Sequence, residues 1–244
     1  MSRPDRELSW VADGQALFEQ TVMRLDDLRG PSKLPGWTRG HVVTHVARNA
    51  EGLGRLLTWA RTGIETPMYP SVEAREAEIQ AGAGRAQAEQ LDDLRRTAAA
   101  FAATARELSP NQWDATVATR HGPMPAARVP WARVRELWLH LVDLDAGVGI
   151  DVMPEDIATV LVREVAVWMH TRVPAGIQLQ LPGGELVAFG PEGTGAKPVT
   201  GPVSGPVQQL AGWLTGGLTG GLTGRPHGRA LTARGGLPEL PPWI

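Results

Sequence analysis

The 244-residue chain contains no cysteine. That excludes disulfide stapling, thiolate-ligated structural zinc and a thiol nucleophile belonging to the protein itself. Any thiol chemistry must borrow its sulfur from outside. Net charge is also small: 24 Lys and Arg against 26 Asp and Glu leave −2, with a pI near 6.3. There is no basic field to gather nucleic acid or an anionic membrane and no acidic tail, so small molecules or protein are the expected partners. No run of about 18 apolar residues occurs, and the opening MSRPDRELSWVADGQ lacks the apolar core of a signal peptide. A cytoplasmic protein is expected.

Glycine and proline are scarce in one part of the chain and dense in the other. Up to about residue 173 the sequence is rich in Ala, Leu, Arg and Glu at helical spacing, and beyond it Gly and Pro accumulate and apolar runs shorten. This predicts an α+β protein, with an up-and-down helical bundle over residues 1–173 and a smaller mixed α/β domain over residues 174–244. Helices are expected over 4–29, from an N-cap at Thr38 to Gly63, and along the seam Leu91, Leu94, Ala98, Phe101, Ala105 and Leu108. Two more are expected over 130–146 and from Pro154 to about Arg172. Residues 64–84 read as a link packed over one end. In the smaller part GIQLQL and ELVAF flank Pro182-Gly183-Gly184 as a hairpin, and GPVQQLAGWL is a short helix with Pro206 at its first position. The tract LTGGLTGGLTG is a low-complexity loop.

The segment RELWLHLVDLD, residues 135–145, is apolar on nearly every side. At 100° per residue, Arg133, Glu136, His140 and Asp143 fall in one stripe about 80° wide, and leucines, valine and Trp138 fill most of the remaining circumference. The stripe is open to two readings. It is a solvated face whose Glu–His pair is worth a few tenths of a kcal/mol, or it is the inward polar edge of a buried helix. The helix TRGHVVTHVARNAEGLGRLL offers a partner for the second reading. His45 lies at the edge of the apolar face Val42, Val46, Ala50, Leu53 and Leu57, and His41 lies about 40° further toward solvent. One imidazole from this helix and a carboxylate and imidazole at i and i+4 on the other can converge on a divalent cation. Two nitrogens and one oxygen suit Zn²⁺, and three protein ligands leave a fourth position open, as catalytic sites do.

The stretches LPGWTRGHVVTHVARNAEGL, WARTGIETPMYPSVEAREAEI and RVRELWLHLVDLDAG, together with the C-terminal PELPPWI, resemble the mycothiol-dependent maleylpyruvate isomerases of the wider DinB-like metalloenzyme superfamily. The resemblance covers essentially the whole chain and is densest at residues 34–80 and 130–146. It implies a DinB-like bundle and one zinc ion held by His45, Glu136 and His140. It also implies two functional arginines: Arg75 in VEAREAEI, and in the C-terminal domain Arg225 in LTGRPHGR, by which that domain contributes to the active site. The LTGG expansion just before Arg225 leaves Arg229 as the alternative. A guanidinium fork suits a dicarboxylate substrate.

The activity implied is conversion of cis 3-maleylpyruvate to trans 3-fumarylpyruvate, with mycothiol as a regenerated thiol cosubstrate, in gentisate-type aromatic degradation. A thiolate adds to the alkene, the resulting single bond rotates, and expulsion of the thiolate leaves the trans product. The same ligands would serve a mycothiol S-transferase or a metal-dependent hydrolase. A non-enzymatic protein binding an apolar ligand in its smaller domain is the third reading. Asn49 and Asp143 are candidates to orient the ligand imidazoles. His121, His170 and His227 lack spaced partners, and Trp59, Trp138 and Trp168 sit at core spacing.

Overall fold

The computed structural model describes residues 2–119, 122–191, 201–216, 231–233, 236–241 and 243. The chain folds into two compact units, Met1–Ser32 with Gly36–Ala146, and Lys33–Pro35 with Gly147–Ile244. The fold class is α+β, mostly helical.

The first unit contains α1 (Asp5–Met23), α2 (Arg39–Thr62), α3 (Val72–Ala83), α4 (Gln87–Glu107), a hairpin of β1 (Thr116–Thr119) and β2 (Gly122–Pro125), and α5 (Val129–Asp143). α2 is central and packs against α3, α4 and α5, while α1 lies against α5 and α4. Thr38 starts α2 as predicted: its hydroxyl accepts from the His41 N–H, and its own N–H donates to His41 Nδ1 at 3.1 Å. Gly63 closes the helix in the left-handed region, φ 74°. Val42, Val46, Ala50, Leu53 and Leu57 are buried, as are Val43 and Leu56. Each such Val or Leu contributes about 1.5–3 kcal/mol of burial.

α1 stops at Met23 rather than near residue 29. Asp26 and Asp27 would oppose the helix dipole at its C-terminus, and Asp27 Oδ1 instead accepts the Arg29 N–H at 2.9 Å in a local turn. The expected link over 64–84 contains α3, whose N-cap Ser71 accepts from the Ala74 N–H at 3.1 Å. Only Ile79, Gly82 and Ala83 of that helix are buried, which is why no apolar stripe announced it. On α4 the seam is rotated from the expected one. Gln90 and Thr97 are buried, and Leu91 and Ala98 only partly so. The buried polar groups are satisfied, Gln90 Nε2 donating to the carbonyls of Ala83 and Arg85 and Thr97 Oγ1 to that of Asp93.

α5 carries Pro130 in its first turn and buries Trp131, Val134, Leu137, Trp138, Leu139, Leu141 and Val142. Its contact with α1 is close enough that a Cβ on Gly14 would lie 2.8 Å from Trp138 Nε1. The helix ends at Asp143, short of residue 146. The Arg39 side chain then donates to the carbonyls of Leu144 (3.0 Å) and Asp145 (2.8 Å), occupying terminal acceptors. Of the three tryptophans expected in the core only Trp138 is buried, whereas Trp59 and Trp168 are half-exposed and Arg172 stacks on Trp168.

The second unit holds α6 (Glu155–Met169), β3 (Ile177–Gln180), β4 (Leu186–Phe189), β5 (Val203–Ser204) and α7 (Val207–Thr215). The sheet order is β4-β3-β5, with β3 antiparallel to β4, Ile177 opposite Phe189, and parallel to β5, Leu179 opposite Val203. The predicted Pro182-Gly183-Gly184 turn is present, both glycines at φ 88°. Pro206 is the N-cap of α7 rather than its first residue. Composition changes after residue 173, whereas packing divides the chain after Ala146, because α6 contacts α7 and β4. Among the described residues no helix is long and apolar enough to cross a membrane.

Candidate metal centre

His45, on the second turn of α2, and Glu136 and His140, one turn apart on α5, meet within the first unit. Glu136 Oε2 lies 2.9 Å from His45 Nε2 and 3.3 Å from His140 Nε2. The imidazole rings meet edge to face with centroids 4.7 Å apart. One ligand atom from each of the three lies within 4.8 Å of the others. A tetrahedral zinc with bonds of about 2.0–2.1 Å spaces its ligand atoms by roughly 3.3 Å. The separations around Glu136 are already of that size, and the donor set of two imidazoles and one carboxylate is one that zinc takes.

The electrostatics divide the two imidazoles. Burial, the largest influence on His45, lowers its pKa to about 4 against the hydrogen bond its Nε2 donates to Glu136, so the ring is neutral at pH 7. His140 is also penalised by burial, but its hydrogen bonds to Asp143 and Glu136 outweigh that penalty and push it up to about 9. Glu136 loses solvation on burial, and the two imidazoles more than compensate, holding its carboxyl well below the usual carboxylate range. The three groups form one charge-coupled unit.

His140 has a buried support. Asp143, fully buried one turn beyond His140, accepts from His140 Nδ1 at 2.9 Å and so turns Nε2 toward Glu136. Asn49 does not touch an imidazole. Its Oδ1 accepts from the buried Arg133 at 2.9 Å, and that guanidinium also donates to the Val46 carbonyl and to Gln15 Oε1, pinning α5 to α2 and α1. His41 is absorbed in the α2 cap, and its Nε2 donates to Gln80 Oε1 at 3.1 Å. Trp37, half-exposed, stacks on His41 and meets His45 edge-on at 5.6 Å.

Arg75, on the first turn of α3, reaches the same cluster: its Nη2 lies 3.0 Å from His45 Nδ1, and its Nη1 pairs with Glu76. Its guanidinium carbon is 5.8 Å from the Tyr69 ring centroid. Burial and then the Glu136 charge raise the Tyr69 phenol above its ordinary value. That ring lies over Gly52 of α2, where a Cβ would come within 3.2 Å of Tyr69 Cζ and of the Met68 carbonyl. Tyr69, Trp37 and the structural role of Arg133 were not picked out from the sequence. The signal available was Gly52, two turns beyond His45 on the same helix face, together with the chain's single tyrosine. Arg225, Arg229, His227 and His121 lie outside the described residues.

A family model described as the mycothiol maleylpyruvate isomerase N-terminal domain matches residues 11–145, a span that includes His45, Arg75, Glu136 and His140. The chain belongs to the mycothiol maleylpyruvate isomerase family, a family of enzymes. Among solved structures it is similar to a crystal structure of the mycothiol-dependent maleylpyruvate isomerase and to one of a histidine-to-alanine variant of that protein. Each is 30% identical, with a TM-score of 0.85 over 98% of this chain and 97% of that chain. No curated protein sequence matches.

Proposed function

We propose that this protein is a zinc- and mycothiol-dependent cis–trans isomerase that converts 3-maleylpyruvate to 3-fumarylpyruvate, acting in gentisate-type aromatic degradation. The observation that carries the reading is the meeting of His45, Glu136 and His140 inside a family-matched span of a chain with no sulfhydryl of its own. Bound by those three side chains, Zn²⁺ would supply the positive charge that keeps an incoming thiol in its nucleophilic thiolate form near neutral pH.

The chain's own groups account for the rest. The thiolate sulfur of mycothiol bonds to one alkene carbon while the alkene's electron pair moves to the conjugated carbonyl oxygen. The former double bond is then free to rotate. Collapse of the enolate reforms the alkene in the trans geometry and expels the thiolate, so atoms and charge balance with no net proton consumed. Arg75 is positioned to hold a substrate carboxylate through charge-assisted hydrogen bonds. Arg225, or Arg229, is proposed from sequence resemblance as the second carboxylate partner. Asp143 and Arg133 keep the donors in place, and the buried setting of His45 limits access of water.

The test is to supply maleylpyruvate with and without mycothiol and to follow both fumarylpyruvate and free thiol. Turnover that requires mycothiol and returns all of it supports isomerisation. Stoichiometric loss of thiol would identify a transferase instead, and no reaction with both present would contradict the proposal.

A further inference from the structure

We infer that Tyr69 is a positioning residue for Arg75: its phenol, seated in a notch that Gly52 leaves in α2, fixes the guanidinium that is proposed to hold a substrate carboxylate. This deepens the reading above and rests on it. α3 by itself supports that side chain poorly. Its buried residues, Ile79, Gly82 and Ala83, all lie toward its far end, so the turn that carries Arg75 adds nothing to the core. The pairing of Arg75 with Glu76 joins neighbours on that same turn, and an ion pair open to water fixes little.

The segment before α3 is anchored on α2 instead. Gly63 turns the chain back at φ 74°, and Arg55 Nη1 donates to the Met68 carbonyl at 3.0 Å. One turn before Arg55 on α2 is Gly52, buried beneath the returning chain. A Cβ there would stand 3.2 Å from the Met68 carbonyl oxygen, 3.2 Å from Tyr69 Cζ and 3.3 Å from the Tyr69 hydroxyl oxygen. Carbon atoms at optimal separation stand about 3.5–4.0 Å apart. The hydroxyl end of the ring therefore lies against the helix backbone only because residue 52 has no side chain. The Met68 carbonyl is tied to Arg55 and is not free to make room for one.

From that seat the phenol hydrogen-bonds the Arg75 guanidinium, whose carbon is 5.8 Å from the ring centroid. A guanidinium only donates, so the phenol oxygen is the acceptor. The central helix thus reaches Arg75 through a relay: Arg55 and Gly52 fix the backbone and ring of residues 68 and 69, and Tyr69 fixes the guanidinium. A side chain as rotamer-rich as arginine loses freedom when it binds a carboxylate, and holding it beforehand lowers that cost.

The experiment is a double-mutant cycle on the full, zinc-loaded chain, read by calorimetric binding of maleate, a dicarboxylate that mimics the cis alkene. Tyr69→Phe keeps the ring and removes the acceptor oxygen. It should weaken maleate binding about fivefold, the worth of one net hydrogen bond, and raise KM for maleylpyruvate by a similar factor with kcat changed less than about twofold. Zinc content should match the wild type. Arg75→Met should weaken maleate about tenfold, and adding Tyr69→Phe to it should cost nothing further, because the phenol acts through the guanidinium. Gly52→Ala, which crowds the ring, should likewise weaken maleate only when Arg75 is present. Wild-type affinity in Tyr69→Phe, or equal losses from either substitution with and without Arg75, would overturn the inference and leave the role of Arg75 standing. Wild-type maleate affinity in Arg75→Met would remove that role, and the inference with it.

Discussion

α5 and α3 bring chemistry to the same cluster and are built in opposite ways. α5 is buried around most of its circumference, and buried side chains fix it: Asp143 accepts from His140 Nδ1, and Arg133, one turn before Glu136, ties the helix to α2 and α1. α3 is mostly solvent-facing, touches the core through three small or aliphatic residues near its end, and holds Arg75 through polar contacts with His45, Glu76 and Tyr69. The difference teaches a division of labour. On the proposed function, groups that must stay at fixed separation to share a cation sit on the element with least freedom, and the group that would meet a mobile substrate sits on the more exposed one.

The largest effects should come from breaking the fixed side of that comparison. His140→Ala or Glu136→Gln should abolish zinc retention and lower turnover on the order of 10³-fold, the consequence of losing several kcal/mol of charge stabilisation. Far-ultraviolet circular dichroism should be unchanged, and a variant that keeps zinc and activity would end the argument. Next in size is packing. Leu137→Ala on α5 should cost about 2–5 kcal/mol in denaturant unfolding, while Val72→Ala on the exposed start of α3 should stay within about 0.5 kcal/mol. Equal costs would erase the contrast.

Smaller effects sharpen it. Arg75→Met should lower kcat/KM by about 10–10²-fold, one or two charge-assisted hydrogen bonds, and leave zinc stoichiometry intact. Asp143→Asn should leave the ligands in place but loosen zinc by about 10–100-fold in a chelator competition. The smallest expected effect is on the pH dependence of the metal-free protein. His140, pushed up to about 9 from 6.5, contributes stability that is fully present below pH 6.5 and is lost as pH rises through 9. Glu136, held below 4.5, contributes stability that is present above pH 4.5 and is lost as pH falls. His45, lowered to about 4 by burial, contributes stability that is present above pH 6.5 and is lost as pH falls toward 4. Melting of stripped protein should therefore be highest near pH 6.5 and decline on both sides, with the alkaline decline reduced in the zinc-loaded protein.

The same contrast explains what could be read from the sequence. His45, Glu136 and His140 were legible because helical period fixes direction. Once the apolar faces of α2 and α5 are drawn, three polar side chains fall on their facing edges. α3 had no apolar stripe to reveal it, so its residues read as a link, and Arg75 was reached only through resemblance to a family. The rotated seam of α4 has a related cause. Gln90 and Thr97 are buried because nearby carbonyls receive them, and hydropathy carries no record of that partnership. Tyr69 lay outside any period, and its place over Gly52 depends on a loop path that no local pattern specifies.

The most direct test is metal analysis of the chelator-stripped protein after titration with zinc, with mycothiol-dependent isomerisation followed in the same samples. The account predicts saturation at about one zinc per chain, with activity rising in proportion to occupancy and neither observed in His140→Ala. Full turnover by the stripped enzyme, or zinc bound to the His140→Ala chain as tightly as to the wild type, would contradict it.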